Sequence, residues 1–130
     1  MLLHAAILSV SLGGQSPSLF ETDVRLRVVN DDLLYVVVQI NNNSGRTVAE
    51  LEGFLTELDP SSRIVSEREL VHLHTYEPPL GNGQTVVRGV TYPFVRTKGY
   101  RYRYHVSRLK FKNDSRIFIY SPTTGLIRIE

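Results

Sequence analysis

The sequence predicts an all-β fold, a single antiparallel β-sandwich, and three features carry that expectation. Leu33 to Ile40 is an almost wholly apolar, β-branched run that stops at Asn41-Asn42-Asn43-Ser44-Gly45. Tyr100 to Phe111 alternates, with Tyr100, Tyr102, Tyr104 and Val106 against Arg101, Arg103 and His105. Further short apolar segments follow at regular spacing with turn residues between them, as in a sandwich of two sheets.

Each segment has its own reason. Val36, Val37, Val38 and Ile40 are stiff at χ1 and suit a pleated surface, and both faces of that run are apolar, so it reads as an interior strand. Ahead of it, Asp23 to Val29 alternates Val24, Leu26 and Val28 with Arg25 and Arg27. A polar turn at Asn30-Asp31-Asp32 joins the two as an antiparallel hairpin. Thr47 to Leu58 is ambiguous. Val48, Leu51, Leu55 and Leu58 recur at helical spacing and Thr47 with Glu50 matches a capping box, so periodicity puts helix ahead. Leu51, Gly53 and Leu55 also fit one strand face, and Gly53 weakens a helix. Ile64 to Tyr76 reads as a bent strand ended by Pro78-Pro79, and Thr85 to Val95 as another. Arg116 to Tyr120 and Leu126 to Ile129 form a closing hairpin around Ser121-Pro122-Thr123-Thr124-Gly125.

With 130 residues the chain makes one domain with one core. A net charge of +2 argues neither for nor against a nucleic-acid partner, so charge arguments must be local. The absence of cysteine excludes disulfides and thiolate metal sites. Residues 1–16 have two readings. Met1 to Leu12 has the apolar length of a signal-peptide core, and Gly13, Gly14, Gln15 and Ser16 resemble a cleavage region, although a basic leader is missing. Leu8, Val10 and Leu12 alternating with Ser9 and Ser11 also fit a first strand, and the stretch is too short to span a bilayer. The β-sandwich domain occupies residues 17–130.

Three landmarks occur in a familiar order: the strand ending in Asn42-Asn43-Ser44-Gly45-Arg46-Thr47-Val48, the element closing at Leu58-Asp59, and the loop Leu80-Gly81-Asn82-Gly83-Gln84. Together they resemble the FxLYD-like immunoglobulin-type domains over Val24 to about Phe111. Leu55, Glu57 and Leu58 stand where that family carries Phe, Leu and Tyr, and Asp59 agrees. The resemblance implies an immunoglobulin-like sandwich, a strand at Ala49 to Leu58, and a non-catalytic module of exported or envelope-associated bacterial proteins. It carries over no active-site residues.

Two constellations could carry chemistry. His72 and His74 sit two apart with Glu77 nearby, so on a strand both imidazoles share a face and could meet a metal. The trio is similar to the His-x-His-Glu cluster of cupins, with shorter spacing and without the later third histidine. The plainer reading is a pair of solvent-facing or core-edge histidines. Arg96 to Lys112 is basic and interleaved with tyrosine. Arg101, Arg103, Arg108 and Lys110 are the candidate contacts for a polyanion. Because Arg101 and Arg103 face away from the tyrosines, one surface cannot use both sets. Glu50, Glu52, Glu57, Asp59, Glu67, Glu69 and Glu77 cluster in the middle third, and cross-strand pairing would neutralise both groups. Asn42-Asn43-Ser44 and Asn113-Asp114-Ser115 match the glycosylation pattern, which matters only in a eukaryotic secretory pathway.

The sequence therefore leads to a non-enzymatic module, exported and extracytoplasmic, without a cofactor or a membrane span. Its expected partner is another protein, met through a sheet edge or end loops. The alternative is a polyanion on the basic face.

Overall fold

The computed structural model describes residues 18–130, and the expected signal peptide or first strand at 1–16 lies outside them. Eight strands follow one another: β1 (Phe20–Asn30), β2 (Leu33–Asn42), β3 (Val48–Leu58), β4 (Ile64–Leu73), β5 (Thr85–Pro93), β6 (Arg101–Phe111), β7 (Phe118–Ser121) and β8 (Gly125–Arg128). They form two antiparallel sheets, one in the order β1-β2-β5 and one in the order β4-β3-β6-β7-β8. The chain crosses between sheets after β2, β4 and β5, which is the Greek-key connectivity of an immunoglobulin-like sandwich.

The apolar run behaves as its composition requires. β2 lies between β1 and β5, and Leu34, Val36, Val38 and Ile40 are buried against the second sheet. The other face, Leu33, Tyr35 and Val37, is half-buried, and the Tyr35 ring lies over Gly89 of β5, where a Cβ would stand 2.4 Å from it. The expected hairpin forms, with Val24 opposite Val38 and Asp31-Asp32 turning the chain.

β3 corrects the helix expected from periodicity. Val48, Leu51, Leu55 and Leu58 are all buried, yet on a strand whose register slips at Val48/Glu50, Leu51/Glu52 and Glu57/Leu58. Each slip resets the alternation, so a period-two strand displays apolar residues at intervals of three and four. The core needs these residues and not a helix. β4 ends at Leu73, short of the expected Tyr76, because His74 to Glu77 close a turn in which the Glu77 amide donates to the His74 carbonyl at 3.0 Å. Tyr104, Val106, Leu109 and Phe111 of β6 pack inward, and a slip opposite Glu52/Gly53 moves the buried set from even to odd positions.

At one end of the sandwich two loops are tied together. The side-chain amide of Asn42, fully buried, donates to the carbonyls of Arg46 at 2.8 Å and Leu80 at 3.0 Å. The Asn42 backbone N–H donates to Gln84 at 2.9 Å, and its carbonyl accepts from Gly83. Gly45 N–H donates to Asn82 Oδ1 at 2.8 Å. The opposite end, where β2 begins, is open.

Candidate functional site

The basic strand β6 pairs along its length with β3, and this places the cationic row beside the acidic one. Arg108 stands opposite Glu52 and bonds it at 3.0 Å, and Lys110 stands opposite Glu50 at 3.7 Å. The expected cross-strand neutralisation therefore holds for these two. Arg101 donates to Ser62 Oγ at 2.6 Å, and Arg103 has no carboxylate partner among the described residues. The tyrosines face the other way: Tyr104 donates to the Leu70 carbonyl at 3.1 Å, and its hydroxyl is pushed up from its ordinary pKa by burial.

The histidine pair does not converge. His72 is 0% exposed, and its Nε2–H donates to the Val38 carbonyl at 2.9 Å across the sandwich. Burial lowers its pKa to about 4, which keeps the ring neutral. His74 lies beyond the end of β4 and stacks on Tyr76 at 5.1 Å. Glu77 accepts from the His74 amide and is ion-paired with Arg88. Each of the three is engaged elsewhere, and among the described residues no cluster of three such side chains could hold a metal. The strand simply ends one residue too early for His74 to share the face of His72.

Sequence reasoning passed over the open end. A cavity of about 390 Å³ lies there, lined by Leu26 and Val28 of β1, Leu34 of β2, Val65 of β4, the loop from Pro93 to Tyr100, and Tyr102 and Glu57. Leu26 and Val28 lie on the same face of β1 as Val24, but toward this end they are 50% and 51% exposed. Glu57 shares the core face of β3 with Leu51 and Leu55 and is 7% exposed. Its carboxylate accepts from Ser66 Oγ at 2.9 Å and from Tyr102 Oη at 2.5 Å. Burial, and then the hydrogen bond to Glu57, raise the Tyr102 pKa. The signal was present in the sequence, since Glu57 has the parity of Leu51, Gly53 and Leu55.

Beside the cavity runs a free edge. β1 pairs only with β2 among the described residues, so one side of its eleven-residue backbone carries no ladder. β7 pairs with β6 only at Arg108 and Leu109, so β6 is also unpaired on that flank from Arg101 to Ser107.

These features define an immunoglobulin-like β-sandwich with one clasped end, one open end and an open flank. No family model matches the chain, and no curated protein matches it. Two solved structures are similar in fold. One is described as an ApaA protein from Bordetella pertussis, 16% identical over 85% of this chain and 86% of that one, with a TM-score of 0.48. The other is a target of the Northeast Structural Genomics Consortium, 12% identical over 85% of this chain and 79% of that one, with a TM-score of 0.41. At such scores neither bears on function.

Proposed function

We propose that this chain is a non-catalytic interaction module that binds an extended segment of a protein partner by strand addition to β1. The observation that carries this reading is the edge of β1 that no described residue pairs, which combines backbone groups unpaired among the described residues with half-exposed Leu26, Val28 and Val29. A long edge of this kind is a template for another strand, and the exposed charges that alternate along it, Glu21, Asp23, Arg25 and Arg27, restrict the template to segments of complementary charge. Main-chain bonds would supply affinity and the alternate side chains selectivity. The FxLYD-like resemblance of the loops is compatible with such a module.

The test is to select binders from a displayed library of random twelve-residue peptides and map them by amide hydrogen exchange. The expected result is added protection at alternate amides between Glu21 and Val29, weakened in the Leu26→Lys/Val28→Lys double variant. Protection confined to β6, or binding indifferent to both lysines, would overturn the proposal.

A polyanion on the outer face of β6 is the second reading. What favours it is that Arg101 and Arg103, both exposed, stand outside the ion pairs that occupy Arg108 and Lys110.

A further inference from the structure

We propose that the cavity at the open end is a binding site for an aliphatic chain ending in a primary ammonium, with Glu57 as its counter-ion. The walls are apolar: Leu26, Val28, Leu34, Val65, Phe94 and Val95. The volume, about 390 Å³, is far above the roughly 30 Å³ that one water occupies and lies in the range of small-molecule sites. The single carboxylate in this lining is Glu57, and it is nearly buried.

Glu57 is unusual for what it lacks. Among the described residues both of its hydrogen-bond donors are neutral hydroxyls, and no cation stands within ion-pair distance. Arg68, two positions from Ser66 on the same face of β4, donates instead to the Thr91 carbonyl at 3.2 Å and lies over the Tyr92 ring at 5.0 Å. A buried carboxylate is stabilised when a cation joins it, because attraction is strong where water is excluded. An ammonium on an apolar stem meets both conditions at once, the stem against the walls and the charge at Glu57.

Arg96 and Lys98 in the lining pull the other way, since they would favour an anionic head. Both are exposed, so water and salt screen them, whereas Glu57 is shielded. The buried charge decides. The chemistry is that of a free alkylamine or of a lysine side chain from a bound segment, and the site does not require strand addition at β1.

The experiment is an NMR titration of the full chain with n-hexylammonium, n-hexanoate and doubly capped lysine, following the methyls of Leu26, Val28, Leu34 and Val65. Hexylammonium is expected to shift these methyls and to bind at least tenfold tighter than hexanoate. Glu57→Gln should weaken hexylammonium at least tenfold. Val28→Trp, which fills the mouth from an exposed position, should abolish its binding without touching the carboxylate. Binding of capped lysine as well would extend the site to a lysine side chain, and binding of hexylammonium alone would assign it to free amines. Hexanoate binding as tightly as hexylammonium, an unchanged Glu57→Gln variant, or no methyl shift with hexylammonium would each overturn the proposal.

Discussion

Asn42 shows how one residue can do more than its position suggests. In the sequence it belongs to a turn-forming cluster, and the turn is real. Its side chain, however, reaches inward to bond Arg46 and Leu80, thirty-eight positions away in the second case. That partner was not legible, because nothing local announces which loop a buried amide will meet. The same burial closes the Asn42 sequon, since the nitrogen a glycan would need is bonded inside. Asn42→Ala strands two carbonyls at once, and a loss of about 3 kcal/mol in chemical denaturation is expected. His72 makes a second residue-scale case. The native state holds it neutral with a pKa of about 4, against 6.5 in the unfolded chain. Between those values the unfolded chain binds a proton that the native state refuses, so stability is complete above about pH 6.5 and falls as pH drops toward 4. The whole effect is on the order of 3 kcal/mol. His72→Gln, which keeps a donor for Val38, should flatten this part of the stability profile relative to wild type. The same difference in unfolding free energy between pH 4.5 and 7, from urea titrations of the variant and wild type, would remove His72 as its source.

Elements were legible where the residue pattern kept a period of two or was apolar on both faces. β6 alternates from Arg101 to Val106, ahead of its slip, and the β-branched run of β2 is buried at every second residue, so both announced their strands. β3 did not, because register slips mimic a helical period, and its Gly53 carried the decisive hint. A Cβ there would stand 2.1 Å from the His105 carbonyl oxygen and 2.6 Å from Tyr104 Oη. The backbone oxygen has no route of escape, so glycine is what lets β3 and β6 pair beneath the Tyr104 ring. Gly53→Ala should cost about 3 kcal/mol or more. Gly89→Ala, whose new methyl would meet the Tyr35 side chain first, should cost clearly less, since a half-buried ring can swing aside. Equal losses in thermal denaturation would contradict this account of the pairing.

Over the whole molecule the sequence supports the sandwich, and the structure shows how its sheets divide. Which strands share a sheet depends on pairing between distant segments, and only folding reveals that β3 carries the acidic row beside the basic one. That neighbourhood bears on the polyanion reading. Half-buried ion pairs on a sheet face, such as Arg108 with Glu52, contribute about 1 kcal/mol, but they hold the cations in place and lower the local field. A single-stranded oligonucleotide should therefore bind with a Kd weaker than about 100 μM at physiological salt. Tight binding that fell steeply with salt and was lost in Arg101→Ala/Arg103→Ala would restore the polyanion as the partner.

The division of strands between sheets also fixes when the chain can fold. β3 is flanked by β4 and β6, and Val48 is matched with Phe111, sixty-three residues later. Pairings of such long range place folding in the millisecond-to-second range. During synthesis the larger sheet has no centre until Phe111 has left the ribosome. A nascent chain that stops earlier leaves β2 and β3 without the cover of Tyr104, Val106, Leu109 and Phe111 of β6, which makes truncated products of this protein natural clients for chaperones and proteases.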